Sequence, residues 1–311
     1  MLQSFGEGLV LKSTKKFSYQ LLFYRLSTNC RIRLHLQPAT TVRYTKMFLL
    51  NLFTEYSTLT LLSLVVLAFV AGFIDAVIGG GGLIQLPALL INFPKTPLPV
   101  LFGTTKIASL AGTSMAAYHY SRKIIFNYRL LIPISLCAAL ASFAGARLVL
   151  HINVQALKPV ILVILILMAI YTYVKKDLGS IQAKQMSLQQ QMLRGCLMAL
   201  LIGFYDGFFG PGTGSFFVLG FVVLMGFEFL QASAYSKFIN CITNISALVV
   251  FIGRGQYMLQ LALLMGACNI LGNFLGAHLA LKNGNGFIRN FFLFIVMLMI
   301  ARYGFDVFYG P

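Results

Sequence analysis

Tryptophan is absent from this 311-residue chain, and acidic residues are scarce: 7 Asp and Glu stand against 24 Lys and Arg, a formal charge of +17. Without Trp, any aromatic belt at a membrane boundary must come from Tyr and Phe. Cysteine is sparse as well. Cys30, Cys137, Cys196, Cys241 and Cys268 form no CxxC pair and no His/Cys ligand spacing, which excludes a disulfide framework and a metal site and leaves small apolar side chains. Charged residues make up only 10% of the chain, 59% is hydrophobic, and the mean hydropathy is +0.84. That balance excludes an ordinary soluble domain.

What the chain does have is apolar runs near the roughly 20 residues a helix needs to cross a bilayer. They are solid rather than alternating, which excludes a β-barrel. Many of the cations lie between these runs or at their ends, where the positive-inside rule and anionic lipids account for them. No nucleic-acid module is recognisable, so nucleic acid is not an expected partner. The expected class is an all-α polytopic membrane protein of about eight transmembrane helices plus short glycine-broken half-helices, in two internally duplicated halves.

Four parts follow: a basic extension at 1–46, a first repeat at 47–174, a polar basic linker at 175–194 and a second repeat at 195–311. The extension carries eight Lys and Arg against Glu7. It reads as a cytoplasmic arm, a transit-like peptide or upstream sequence from a wrong start; the third is favoured because Met47-Phe48-Leu49-Leu50 makes a natural beginning. Expected helical segments are 57–78, 83–93, 104–120, 130–150 and 158–174, then 195–209, 215–230, 231–252, 258–281 and 289–308. Pro94 stops the second, about 16 Å long if helical.

The duplication rests on one register. Asp206 follows Asp75 by 131 residues, Lys237 follows Lys106 by the same interval, and Gly276-Ala277 follows Gly145-Ala146 by it. Gly72, Phe73, Gly79 and Gly81 likewise find Gly203, Phe204, Gly210 and Gly212. Such repeats underlie many transporter folds. If the short segments after the glycines enter and leave by one side, each half has four crossings and the halves are parallel. If they cross fully, each half has five and the repeats are inverted, with Arg254 on the side opposite Arg122 and Arg129. The shortness of 83–93 favours the first arrangement, and the longer 215–230 leaves the matter open.

The candidate site follows from cost. An ionised Asp deep in a bilayer is expensive unless it faces a cavity or a partner, so Asp75 and Asp206 need a reason to be there. One is proton coupling, as access to a carboxylate alternates between the two sides. The other is structural: the acids pair with Lys106 and Lys237 and hold the halves together. Both stay open. The two lysines suit an anion, although each lies only a few residues into its segment and can snorkel. Asn240 and Asn244, with Ser109 and Thr113 at the offset, share a helical face with them. The runs Gly79, Gly80, Gly81, Gly82 and Gly210, Gly212, Gly214 cannot hold a helix and free backbone groups that need partners. A helix starting after them would turn its N–H groups toward an anion. Arg147 and His278, near segment ends, read as interfacial, and Glu228 as a loop acid. No nucleotide-binding loop occurs, and no cofactor is expected. The expected partners are a small anionic solute and the lipid bilayer; the sequence is compatible with a homo-oligomer.

The motifs Ala71-Gly72-Phe73-Ile74-Asp75, Gly79–Gly82, Pro87-Ala88-Leu89 and Gly203-Phe204-Tyr205-Asp206-Gly207-Phe208-Phe209-Gly210-Pro211-Gly212-Thr213-Gly214 resemble the two signatures of the sulfite exporter TauE/SafE family of membrane permeases. The resemblance covers about 54–308. It implies a multi-pass inner-membrane permease that is not an enzyme, with export or uptake of sulfite or organosulfonate anions as the associated activity. The competing class is an anion channel or a non-transporting membrane scaffold.

Overall fold

The computed structural model describes residues 56–122, 124–152 and 186–283, with isolated positions between 162 and 170 and between 297 and 305. The 1–46 extension, the linker up to 185 and nearly all of the expected segments at 158–174 and 289–308 lie outside the described residues. Every element described is a helix: α1 (Thr58–Ile78), α2 (Gly82–Asn92), α3 (Leu98–Ser121), α4 (Tyr128–Val149), α5 (Leu188–Phe208), α6 (Thr213–Met225), α7 (Phe229–Gly253) and α8 (Leu259–Asn283).

Local chemistry explains most of these boundaries. Ser57 caps α1 by accepting a hydrogen bond from the Thr60 N–H at 3.1 Å, and Asn127 and Ser187 cap α4 and α5 in the same way. The Ser187 cap starts α5 at Leu188, inside the stretch that reads as linker, because the glutamines after it are good helix formers. α3 starts six residues ahead of Thr104, since a proline in the first turn forfeits no intrahelical bond. Gly226, at φ 70°, ends α6 well short of Leu230, so this copy too is short, 13 residues against 11 for α2.

α2 returns along α1. The Ser63 hydroxyl donates to Asn92 Oδ1 at 3.3 Å, and the Tyr56 ring meets Phe93 edge-on. Short as it is, α2 brings the chain back to the level where α1 began, and α3 sets out from there. α3 and α7, equivalent at the 131 offset, run in opposite directions. Gly103 near the start of α3 lies against Phe251 near the end of α7, Ser114 sits 3.8 Å from Cys241 midway, and Phe126 beyond α3 packs on Tyr235 and Phe238. The equivalent helices are therefore inverted, not parallel as the shortness of 83–93 favours, and Arg254 lies at the far end of the bundle from Arg122.

Exchange between halves builds the interior. α4 lies along α5, with Ala138 against Gly203 and Ser142 against Gly207; α8 lies along α1, with Gly272 against Phe69 and Gly276 against Phe73. The last of these contacts recurs at the offset as Gly145 on Phe204. Small residues let the backbones approach. The bundle is apolar outside and polar within: Leu59, Leu140 and Leu201 are more than 70% exposed, while Asp75, Lys106, Asp206, Lys237, Asn269 and Asn273 are buried. That polarity suits lipid as the surrounding solvent. Among the described residues four helices are long and apolar enough to cross a membrane. α3, of similar length at 24 residues, spends part of its apolar character on Lys106 and the polar residues around it.

A buried aromatic cluster of Phe126, Phe221, Phe227 and Tyr235 closes one end of the bundle. The Tyr235 hydroxyl accepts from the Asn127 N–H at 2.7 Å and fixes the α3–α4 connection to α7. Tyr235→Phe strands that N–H and is expected to cost about 1–3 kcal/mol, read as a lower melting temperature in detergent.

Candidate functional site

α1 and α5 each deliver an aspartate one turn before they break. Gly79 ends α1 at φ 82°, its N–H donating to the Asp75 carbonyl at 3.0 Å; Gly210 and Gly212 take φ 88° and 82° between α5 and α6. Only glycine holds such angles without strain. The two breaks touch each other, Gly79 on Gly214 and Gly82 on Pro211. Most of the backbone freed there is satisfied by protein: Tyr205 donates to the Pro211 carbonyl, Thr213 Oγ1 to Gly210 and Ser236 Oγ to Gly214, all between 2.7 and 2.8 Å. The Leu83, Ile84 and Gln85 N–H groups of α2 turn back onto Gly80 and Gly81, and those of Thr213 and Ser215 onto Gly210 and Gly212. In this conformation those groups are not turned toward an anion.

The four charges meet as two crossed pairs. Lys106 Nζ lies 2.8 Å from Asp206 Oδ1, and Lys237 Nζ lies 2.9 Å from Asp75 Oδ2. Each lysine thus takes the aspartate of the other half. All four residues are at most 7% exposed. Lys237 also donates to the Asp75 main-chain carbonyl, and Thr113 Oγ1 donates to Asp75 Oδ2 at 3.4 Å. Tyr120 donates to the next carbonyl, Ala76, at 3.2 Å. Around Asp206 the arrangement is barer: Oδ2 has no hydrogen-bond partner, and neither has Asn244 Nδ2.

Between the pairs lies a polar cavity of about 30 Å³. Asp75, Lys106, Asp206, Asn240 and Asn244 line it, as do Gly79, Gly82, Gly210, Gly212 and Gly214. Lys237 stands behind Asp75, and Gly80 and Gly81 are not in the wall. Sequence reasoning did not single out Gln85, whose Oε1 accepts from Ser109 at 3.2 Å and whose Nε2 is unpartnered, or Tyr120. Neither has a counterpart at the offset, where Phe216 and Phe251 stand, so the repeat could not point to them. Arg147 is exposed, its guanidinium 4.7 Å from the Phe143 ring centre, and His278 and Glu228 are exposed too. Among the described residues no cluster of His, Cys, Asp or Glu could hold a metal ion.

The chain is similar to membrane transporter proteins. A family model described as sulfite exporter TauE/SafE matches residues 64–303. The "Probable membrane transporter protein ORF9" of Sinorhizobium sp is 38% identical over 240 residues, covering 77% of this chain and 90% of that protein. The "Probable membrane transporter protein" of Haemophilus influenzae is 35% identical over 238 residues, 76% and 92% of the two chains. In Escherichia coli K12, the "Probable membrane transporter protein YfcA" is 32% identical over 244 residues, 77% and 87% of the two. No solved structure matches the chain.

Proposed function

Because the chain belongs to the sulfite exporter TauE/SafE family, we propose that it is a secondary transporter moving a small anion, sulfite or an organosulfur anion, across the inner membrane with coupling to protons. It is a multi-pass protein of a membrane transporter family. The finer reading is carried by one observation: two crossed, buried Asp–Lys pairs flank a polar cavity where the helix breaks of both halves meet.

The chemistry follows from charge balance. Each pair is neutral as it stands, and a buried site resists a net charge. An anion can bind a lysine only if the aspartate lets go, and a carboxylate lets go of an ammonium when a proton neutralises it. The inverted halves must move against each other to admit solute from either side. Nucleotide hydrolysis has no part in the scheme; the gradients of the anion and the proton drive it.

The test is flux in phosphatidylethanolamine/phosphatidylglycerol vesicles with labelled sulfite and methanesulfonate. The wild-type protein should carry at least one of them and respond to an imposed pH gradient. The Asp75→Asn/Asp206→Asn double variant should lose that response. Flux that persists unchanged in the double variant and ignores the pH gradient is the result of a channel and would sink the coupled reading.

A further inference from the structure

The two pairs match in sequence and differ in how they are fastened. Asp75 is held by Lys237 through both its carboxylate and its carbonyl, by Thr113, and by the Tyr120 hydroxyl on the neighbouring carbonyl. Two of these fasteners do not exist in the other half: the 131 offset puts Asn244 where Thr113 stands and Phe251 where Tyr120 stands. Phe251 has no hydroxyl to give. Asn244 is 2% exposed and lines the cavity with its Nδ2 unpartnered, and Asp206, 1% exposed, lines it with Oδ2 unpartnered. A buried donor and a buried acceptor without partners on one small cavity wall mark a place where another molecule's polar atoms belong. Lys106 lines the same wall, whereas Lys237 does not.

Resting on the transporter reading above, we infer that the pairs have divided labour: Asp75–Lys237 is a permanent strut, and Asp206–Lys106 is the pair that opens to exchange anion and proton. In the exchange, Asp206 Oδ2 takes a proton from the aqueous side and its ion pair with Lys106 breaks. Lys106 Nζ then pairs with the anion, and Asn244 Nδ2 donates to one of its oxygens. One proton enters with each single negative charge, so the neutral site stays neutral. The ionisable groups facing Asp206 are Lys106 from α3, Tyr205 on its own helix and the Asp75–Lys237 pair across the cavity; α6 contributes none. Of these only Lys106 bonds its carboxylate.

A simple exchange of roles between the two pairs as the halves rock is the natural alternative for an inverted repeat. The absence of a hydroxyl at 251 argues against it, since Asp206 cannot acquire the fastening that Asp75 has.

Two measurements decide the matter. In the vesicles above, with methanesulfonate, which carries one charge at all working pH values, each protein's uptake is measured with and without a pH gradient. Wild type should accumulate up to about tenfold per pH unit, without response to an imposed potassium diffusion potential. The ratio with and without the gradient should stay at the wild-type value in Asp75→Asn and fall to about one in Asp206→Asn, which still exchanges anion for anion. A fall in both variants, or in Asp75→Asn alone, overturns the division, and a response to the diffusion potential overturns the one-to-one balance.

The second measurement needs no solute: the strut role requires Lys237→Met to melt about 5 °C or more below Lys106→Met. Equal melting overturns the inference. Should wild type carry neither sulfite nor methanesulfonate, the transporter reading fails and the melting comparison still judges the division.

Discussion

Lys237→Met should lose about 3–5 kcal/mol of stability, because it leaves the Asp75 carboxylate buried without its cation. Lys237 is 1% exposed, and its ammonium serves the carboxylate and the carbonyl of Asp75 together. Methionine keeps the length of the side chain and donates to neither. Asp75→Asn leaves the Lys237 ammonium without its carboxylate, but should cost less because the amide oxygen and the Asp75 carbonyl still accept from it. The double variant Asp75→Asn/Lys237→Met should recover part of the loss of Lys237→Met alone, because no uncompensated charge remains. Melting temperatures of the four proteins of this cycle in detergent, with circular dichroism to show retained helix, give the coupling. Equal losses for both single variants and simple addition in the double would mean that the pair is not coupled and that its geometry is incidental.

The same pair shows how far the sequence could be read. A fixed offset in a chain poor in acids exposed both aspartates and both lysines, since a buried charge in an apolar run stands out without any knowledge of the fold. Which lysine each aspartate takes was not legible. Asp75 and Lys106 lie 31 residues apart in one half, and nothing in composition says that each will reach across to the other. That depends on the inversion of α3 against α7, which in turn depends on α2 returning the chain. The segment 83–93 could be seen to be short; the level at which it ends could not. Its partner 215–230 read as longer because Gly226 and the apolar residues after it blur a boundary that the left-handed glycine makes sharp. Tyr120 was hidden for a different reason. A tyrosine near a segment end looks like part of an interfacial belt, and only packing shows its hydroxyl turned inward onto Ala76.

The meeting of the two glycine breaks carries the second large effect. A Cβ at Gly79 would lie 2.6 Å from the Gly214 carbonyl carbon, and one at Gly214 would lie 2.8 Å from the Gly79 Cα. Both obstacles are backbone, which cannot swing aside as a side-chain tip does, so each alanine must push the breaks apart at an overpacking cost of about 1–3 kcal/mol. Gly79→Ala adds about 1–2 kcal/mol more, because a φ of 82° crowds any L side chain. Gly214→Ala separates the contributions. Gly214 lies in the first turn of α6, where alanine is the better helix former. Any loss there comes from the contact alone and is opposed by propensity. Gly253→Ala serves as the control, since nothing lies within 4 Å of the added methyl. Melting temperatures should fall in the order Gly253→Ala, Gly214→Ala, Gly79→Ala, with the first at or above wild type. Anion flux should fall with them, because the contact forms the floor of the cavity between the crossed pairs and separating the breaks moves Asp75 and Asp206 off their lysines. A Gly214→Ala protein as stable and active as wild type would show that the two breaks need not touch for the site to form.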